Sequence, residues 1–191
     1  MKKIFGEDAS QSNYTPLQHM QRINDSSEFN SIGYPIAQDI HRLFLHLRDH
    51  PTGHDQFFLA APEDSTWQIT GQHPFSGSWT KAGFVAEIWS SNSTLIAAPG
   101  PCFIMPRGLD SIVCDERGRA AVELRSVHTT TKDLGLSYDQ EYSWHCEFDG
   151  SRTLREVRIY LDSIHAEKVL VAEREAQKAR TDSMVSSGVK F

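Results

Sequence analysis

No apolar run in this chain approaches the roughly 20 residues that a helix needs to cross a bilayer, so the sequence offers no membrane span. Charge of one sign is not concentrated either: 19 Lys and Arg against 25 Asp and Glu leave −6 spread along 191 residues. That gives no electrostatic footprint for nucleic acid or an anionic membrane. The three cysteines, Cys102, Cys114 and Cys146, are odd in number and lack metal-type spacing, which fits reduced thiols in a soluble, cytoplasmic protein. The opening Met-Lys-Lys-Ile-Phe-Gly-Glu-Asp has two lysines with no apolar core behind them and does not read as a secretory signal. On that expectation the Asn-x-Ser/Thr matches at Asn13, Asn24 and Asn92 are chance. Also missing are Gly-x-Gly-x-x-Gly, Gly-x-x-x-x-Gly-Lys, Gly-x-Ser-x-Gly and His-Glu-x-x-His. Dinucleotide, nucleotide, serine-hydrolase and zincin chemistries therefore find no support. His46, His50 and His54 recur every four residues, but Pro51 and Gly53 interrupt the helix that would align them, so no metal site is expected.

What is present is ordinary globular composition, 39% hydrophobic and 23% charged, at a length suited to one well-buried core. Residues 1–30 are polar and without a sustained period, and read as a flexible N-terminal arm. From residue 31 the pattern changes. Ile36, Ile40, Leu43, Phe44 and Leu47 make one apolar stripe over 35–48, ended by Pro51-Thr52-Gly53. A short helix over 54–61 follows, then a strand carrying Trp67 and Ile69, then a helix over 81–91. Pro99, Pro101 and Pro106 mark an irregular link. Strand-like runs at 109–114 and 119–129 flank Asp115-Glu116-Arg117-Gly118, and runs at 138–148 and 154–162 flank Asp149-Gly150-Ser151; both reverse turns read as hairpins. A final helix covers about 163–180 and becomes polar and solvated, so that 31–172 reads as the domain and 173–191 as a polar helical extension and tail. Helices first and a run of antiparallel strands last argue an α+β fold.

Alternation along the strands sorts the candidate side chains. In the last strand Glu156, Arg158, Tyr160 and Asp162 share one face, and Val157, Ile159 and Leu161 the other. One face must meet the helices and a pocket, the other solvent or a second subunit. In 138–148 the residues Tyr138, Gln140, Tyr142, Trp144, Cys146 and Phe148 share a face, which suits a pocket for an apolar ligand and equally suits core or a dimer surface. Glu123 and Arg125 share a face of 119–129, as a second acid/base member or as surface charges. His73, between Gly71 and Pro74, is a proton-shuttle candidate or an exposed turn residue.

The segment from Asp64-Ser-Thr-Trp67 through Gly71, Pro74 and Gly77 to Thr80-Lys81 resembles the first strand and turn of the SnoaL-like, nuclear transport factor 2-like (NTF2-like) proteins, with Thr80-Lys81 in place of the usual Gly-Lys. Tyr138 to Trp144, Phe148-Asp-Gly150 and Glu156 to Asp162 resemble the last two strands of that family. The resemblance implies a cone: a curved, mostly antiparallel sheet, helices closing a central pocket, and homodimerisation through the outer sheet face. It also implies cofactor-independent chemistry, since members include ketosteroid isomerases, polyketide cyclases, epoxide hydrolases, scytalone dehydratases and meroterpenoid isomerases, while others only bind or dimerise. In SnoaL-like cyclases the Asp at this strand end lies in the pocket, which makes Asp162 the leading acid/base; the alternative is that Asp162 only caps the helix at Ser163. Arg158, Tyr160, Glu123 and His73 would handle the complementary charge, and Trp67, Trp79, Tyr142 and Trp144 would shape the substrate cavity. No acid stands near Ile69, where ketosteroid isomerases carry their base, so that arrangement is not expected. The expected function is general acid/base isomerisation, cyclisation or dehydration of a small apolar, polyketide- or terpenoid-like metabolite. The alternative is a non-catalytic binding or dimerisation module of the same fold.

Overall fold

A computed structural model describes residues 33–186, with side chains to residue 183. The expected arm, residues 1–30, lies outside the described residues, as do residues 187–191. Helix α1 (Ala37–Leu45) continues as a 3-10 turn to Arg48, and α2 (Thr52–Leu59) follows. Strands β1 (Thr66–Ile69) and β2 (Gly77–Thr80) precede a helical segment, α3, over residues 81–93, whose middle, Phe84–Trp89, winds as a π-helix. Then come β3 (Cys102–Ile104), β4 (Ile112–Cys114), β5 (Arg119–Val127), β6 (Glu141–Phe148), β7 (Leu154–Leu161) and α4 (Ser163–Ser186).

The seven strands form one open, mixed sheet in the order β2-β1-β7-β6-β5-β3, with β4 also on β5. Long β5 is covered along its two halves by different short strands, β4 on 120–122 and β3 on 125–127. Every pairing is antiparallel except β1 with β7. Two of these strands, β2 and β3, lie where the sequence reads as connection.

The side-chain period of two places a single apolar row across the sheet: Val122, Trp144, Ile159 and Ile69 are register partners on β5, β6, β7 and β1. α1 and α2 cover this face with Ile40, Phe44, Phe57 and Phe58, giving a core of interlocked rings in which Phe44, Phe57 and Trp67 stand edge-on to Trp144. Edge-to-face packing of this kind stabilises beyond the area it buries. Lys81 ties α3 to α2: its Nζ donates to the carbonyls of Ala61 (2.8 Å) and Phe58 (3.4 Å) and pairs with Glu63 (2.7 Å). A cation there satisfies carbonyls that the end of α2 leaves open.

α4 runs without a break across residue 172. Glu173, read from sequence as part of a solvated stretch, is fully buried. Its carboxylate accepts the backbone N–H groups of Asp133 (2.7 Å) and Leu134 (3.0 Å) and a Gln177 amide N–H (3.1 Å), clamping the 128–139 connection to the helix. Burial pushes this carboxyl up, but the hydrogen bonds from Leu134 and Asp133, with those of Thr131 and Gln177, outweigh it and hold it below the usual glutamate range. Among the described residues no helix is long and apolar enough to cross a membrane.

Candidate active site

The inward face of β6 and the π-segment of α3 enclose a cavity of ≈ 80 Å³. Its apolar walls are Ile69, Phe84, Ile88, Trp89, Phe103 and Ile159. Trp89 stacks on Phe103 (centroids 5.7 Å, 27°), which joins α3 to edge strand β3. Tyr138, Tyr142 and Trp144 line it from the sheet side, and half-buried Asn92 and Ser93 from the end of α3. A π-turn inside a helix shifts the residues after it relative to a regular helix, and such turns recur at functional sites.

Tyr142 accepts an N–H from the buried Gln140 side chain at 2.9 Å, and the Ser126 and Tyr138 hydroxyls also act on its oxygen. Burial nonetheless dominates and pushes the Tyr142 phenol up to about 12. Burial also raises Tyr138 well above the tyrosine range, with the neighbouring Tyr142 adding to it. Both phenols are therefore neutral hydrogen-bond donors at physiological pH. Among the described residues no carboxylate, imidazole, ammonium or guanidinium lines the cavity. Trp144 is 1% exposed, and its Nε1–H has no partner among the described residues.

Of the aromatic residues expected to shape a cavity, Tyr142 and Trp144 line it. Trp67 sits in the core behind it, stacked on Phe84 (5.0 Å, 25°), with its Nε1–H given to Ser65. Trp79 lies on edge strand β2 and donates to Glu87 (3.1 Å). The polar stripe of β7 does not face the hollow. Val157 and Ile159 are buried against the rings of the core, so the alternation turns Glu156, Arg158 and Tyr160 to the outer face. There Arg158 lies between Glu156 (3.1 Å) and Glu147 (3.7 Å), and Tyr160, 40% exposed, packs on His145. Glu123 is on the same outer face, paired with Arg107. Asp162 accepts the backbone N–H of His165 at 3.0 Å, the N-cap to N3 bond that starts α4. His73 is buried in its turn rather than exposed, its Nδ1 accepting the Phe75 N–H (3.3 Å) and its Nε2 donating to the Thr70 carbonyl (3.3 Å). None of Asp162, Tyr160, Arg158, Glu123 and His73 lines the cavity, so the structure does not bring the expected acid/base set together.

Two buried groups behind the wall were not singled out from sequence as site residues. Gln140 immediately precedes β6 and continues its aromatic face, where alternation places it beside Tyr142. His54, from α2, packs against Trp89 (5.3 Å) and Phe103 (5.9 Å) and gives its Nε2–H to the Leu47 carbonyl (2.9 Å), leaving Nδ1 without a partner among the described residues. Desolvation lowers its pKa to about 4, so it is a neutral ring at pH 7. Among the described residues no group of three His, Cys, Asp or Glu side chains is arranged to hold a metal ion.

An open, curved sheet with helices closing one face over a hollow is the architecture shared with solved structures. BvnE pinacolase from Penicillium brevicompactum superposes with a TM-score of 0.56 over 73% of this chain and 93% of its own, at 21% identity. An NTF2-like protein from Burkholderia thailandensis gives 0.51 over 68% and 95%, at 10% identity. The chain has the NTF2-like fold. PrhC from Penicillium brasilianum gives 0.55 over 73% of this chain and 87% of its own, at 12% identity. No protein-family model matches the sequence, and no curated protein matches it. The NTF2-like assignment thus rests on shape, and at these identities shape establishes the fold.

Proposed function

We propose that this protein takes one small, uncharged, largely apolar molecule into the cavity beneath α3 and rearranges it without a cofactor, by isomerisation, cyclisation or dehydration. The observation that carries this reading is the cavity wall itself: apolar except for a few neutral polar side chains, with Tyr142 and Tyr138 its only ionisable groups among the described residues. A buried phenol kept protonated is suited to polarise a carbonyl or hydroxyl oxygen and to act as general acid, because a donor in a water-poor site stabilises developing negative charge strongly. Likeness to a pinacolase supports the reaction class without specifying it. A cavity of ≈ 80 Å³ is small against the ligand pockets of about 300–1,000 Å³ that hold drug-sized molecules, so a polyketide- or terpenoid-sized substrate would require the α3 wall to move outward.

The test is incubation with a library of uncharged terpenoid- and polyketide-like compounds, with products read by mass spectrometry. The expected product is of equal mass to its substrate or lighter by one water. Tyr142→Phe should retain the fold and lose turnover, and Ile159→Trp, which fills the cavity, should lose both turnover and binding. Full turnover by both variants would refute the assignment of the cavity. The second reading, a non-catalytic binding module, is favoured by the missing carboxylate and imidazole on the wall, and would show as saturable binding with no product.

We also propose that the outer sheet face is a homodimer surface, as NTF2-like architecture leads one to expect. Val113, 73% exposed, and Tyr160 stand there beside a shallow depression formed by Ala121, His145 and Arg158. Val113→Arg should convert a dimer to a monomer in light scattering, and an unchanged mass would reject this face.

A further inference from the structure

The cavity lies where two separate clusters of buried apolar side chains meet. Most of its wall, including Phe84, Phe103, Trp144 and Ile159, belongs to the main core on the sheet. Ile96 and Tyr138 belong instead to a smaller cluster with Phe75, Leu95 and Leu170 of α4. Among the described residues no α4 side chain lines the hollow, so Ile96 and Tyr138 are the layer between that helix and the ligand space. Widening the hollow for a large substrate falls to α3. Admitting any substrate falls to a less firmly packed part of the wall, and a small satellite cluster opens more readily than a main core.

Ile96 rides on a flap. It bridges Thr131, the Ala97 N–H donates to the Thr130 carbonyl (2.9 Å), and the Lys132 N–H donates to the Leu95 carbonyl (2.9 Å). The chain beyond Thr130 turns back on itself to bridge at Ser137. The base of this turn is fixed: Asp139 accepts the N–H groups of His128 (3.1 Å) and Thr129 (2.8 Å), and the Tyr138 carbonyl accepts the Ser126 hydroxyl (2.9 Å). Its tip is held from α4. There Glu173 accepts the Asp133 and Leu134 N–H groups (2.7 and 3.0 Å), and Arg180 pairs with Asp133 (2.9 Å). Leu134 and Leu136 are exposed, so polar bonds rather than apolar burial hold the tip.

We infer that residues 130–137, with the paired segment 94–97, form the gate of the cavity, and that the buried Glu173 carboxylate is its latch. Ligand enters when the tip leaves Glu173 and Ile96 is withdrawn from Leu170. This rests on the cavity being the ligand site.

The test uses fluorobenzene, an uncharged apolar ring, with the full chain, its binding and exchange rates read by fluorine NMR. Glu173→Gln weakens the latch without altering the lining. It should raise the association and dissociation rates together by about five-fold or more, as expected for the loss of a charge-assisted acceptor. Kd should stay within about two-fold, because the closed free and closed bound states are weakened alike. Gly118→Ala, in the β4–β5 turn, lowers stability without touching the gate and should leave both rates unchanged. Should Glu173→Gln fail to fold, hydrogen exchange of the wild type decides: saturating fluorobenzene must slow the Asp133 and Leu134 amides, since the open gate cannot retain the ligand. Wild-type rates in folded Glu173→Gln, equal acceleration by Gly118→Ala, a raised Kd with unchanged association, or Asp133 and Leu134 amides indifferent to ligand would each overturn the gate while leaving the cavity as a binding site. If fluorobenzene does not bind at all, the gate and the proposed function fall together.

Discussion

Acidification tests the packing of His54, and its size can be worked from the structure. The ring is 2% exposed and wedged between His50, Trp89 and Phe103, with the Leu47 carbonyl as its hydrogen-bond partner. Burial disfavours the imidazolium; the Leu47 hydrogen bond and the more distant Asp55 and Asp49 restore part of it, while His50 opposes it further. The net effect moves the group from 6.5 to about 4. The unfolded chain therefore binds a proton that the folded chain refuses in the window between those values, so stability falls as pH drops from 6.5 to about 4 and is unaffected above it. At about 1.4 kcal/mol per pH unit, the loss across the window is roughly 3 kcal/mol, a large share of a typical domain's stability. Urea denaturation at closely spaced pH values measures it. His54→Gln is the control, because a glutamine amide can still donate to the Leu47 carbonyl but does not titrate. The variant's midpoint will fall at every pH from lost ring contacts, so the slope between pH 6.5 and 4 is the quantity to compare. Carboxylate titration near pH 4 is common to both proteins. Identical slopes would refute the assignment of this acid sensitivity to His54.

Three further outcomes follow from contacts described above. Glu173→Gln should cost about 1–3 kcal/mol, because an amide cannot replace a carboxylate accepting two backbone N–H groups, and should accelerate hydrogen exchange in residues 128–139 before anywhere else. Since the Glu173 carboxyl is held low, its contribution is present above the ordinary glutamate range and disappears as pH falls through the folded value. Gly118→Ala should destabilise by about 2 kcal/mol or more in thermal unfolding, because φ is +82° there and an added Cβ would collide with the Phe148 carbonyl oxygen and the Tyr34 ring. Asp162→Ala should lower stability by about 1 kcal/mol, with Asp162→Asn much closer to wild type, and neither should alter ligand affinity; loss of binding in a folded Asp162→Asn protein would restore this residue to the site.

The sequence carries the helices and the long strands because their apolar periods extend over many residues. The stripe from Ile36 to Leu47, the alternation from Tyr142 to Phe148 and the two hairpin turns all announce themselves locally. Strands β2 and β3 do not. Gly77–Thr80 and Cys102–Ile104 are too short to show a period of two, and prolines nearby argue for loop. The parallel pairing of β1 with β7 is invisible for a different reason, since no local residue encodes which distant strand will arrive. At the site, Tyr142 and Trp144 were legible from the aromatic face of β6. The face of β7 was not, because Glu156, Arg158, Tyr160 and Asp162 alternate as regularly as Val157, Ile159 and Leu161. What decides is the core, which takes the branched aliphatics and leaves Arg158 to the outer carboxylates. The α3 wall escaped because a π-turn changes which residues follow one another on a helix face.

The single parallel seam has a consequence for how the molecule is made. β1 pairs locally with β2, but on its other edge Thr66 meets Glu156 and Ile69 meets Ile159, so that edge must wait for the last strand to leave the ribosome. Until then Trp67 and Ile69 lack the Val157 and Ile159 side of their packing, and the hollow beneath α3 lacks the Ile159 part of its wall. Truncation ahead of β7 would accordingly remove both fold and pocket at once, and newly synthesised chains are at greatest risk of association just before the final helix docks.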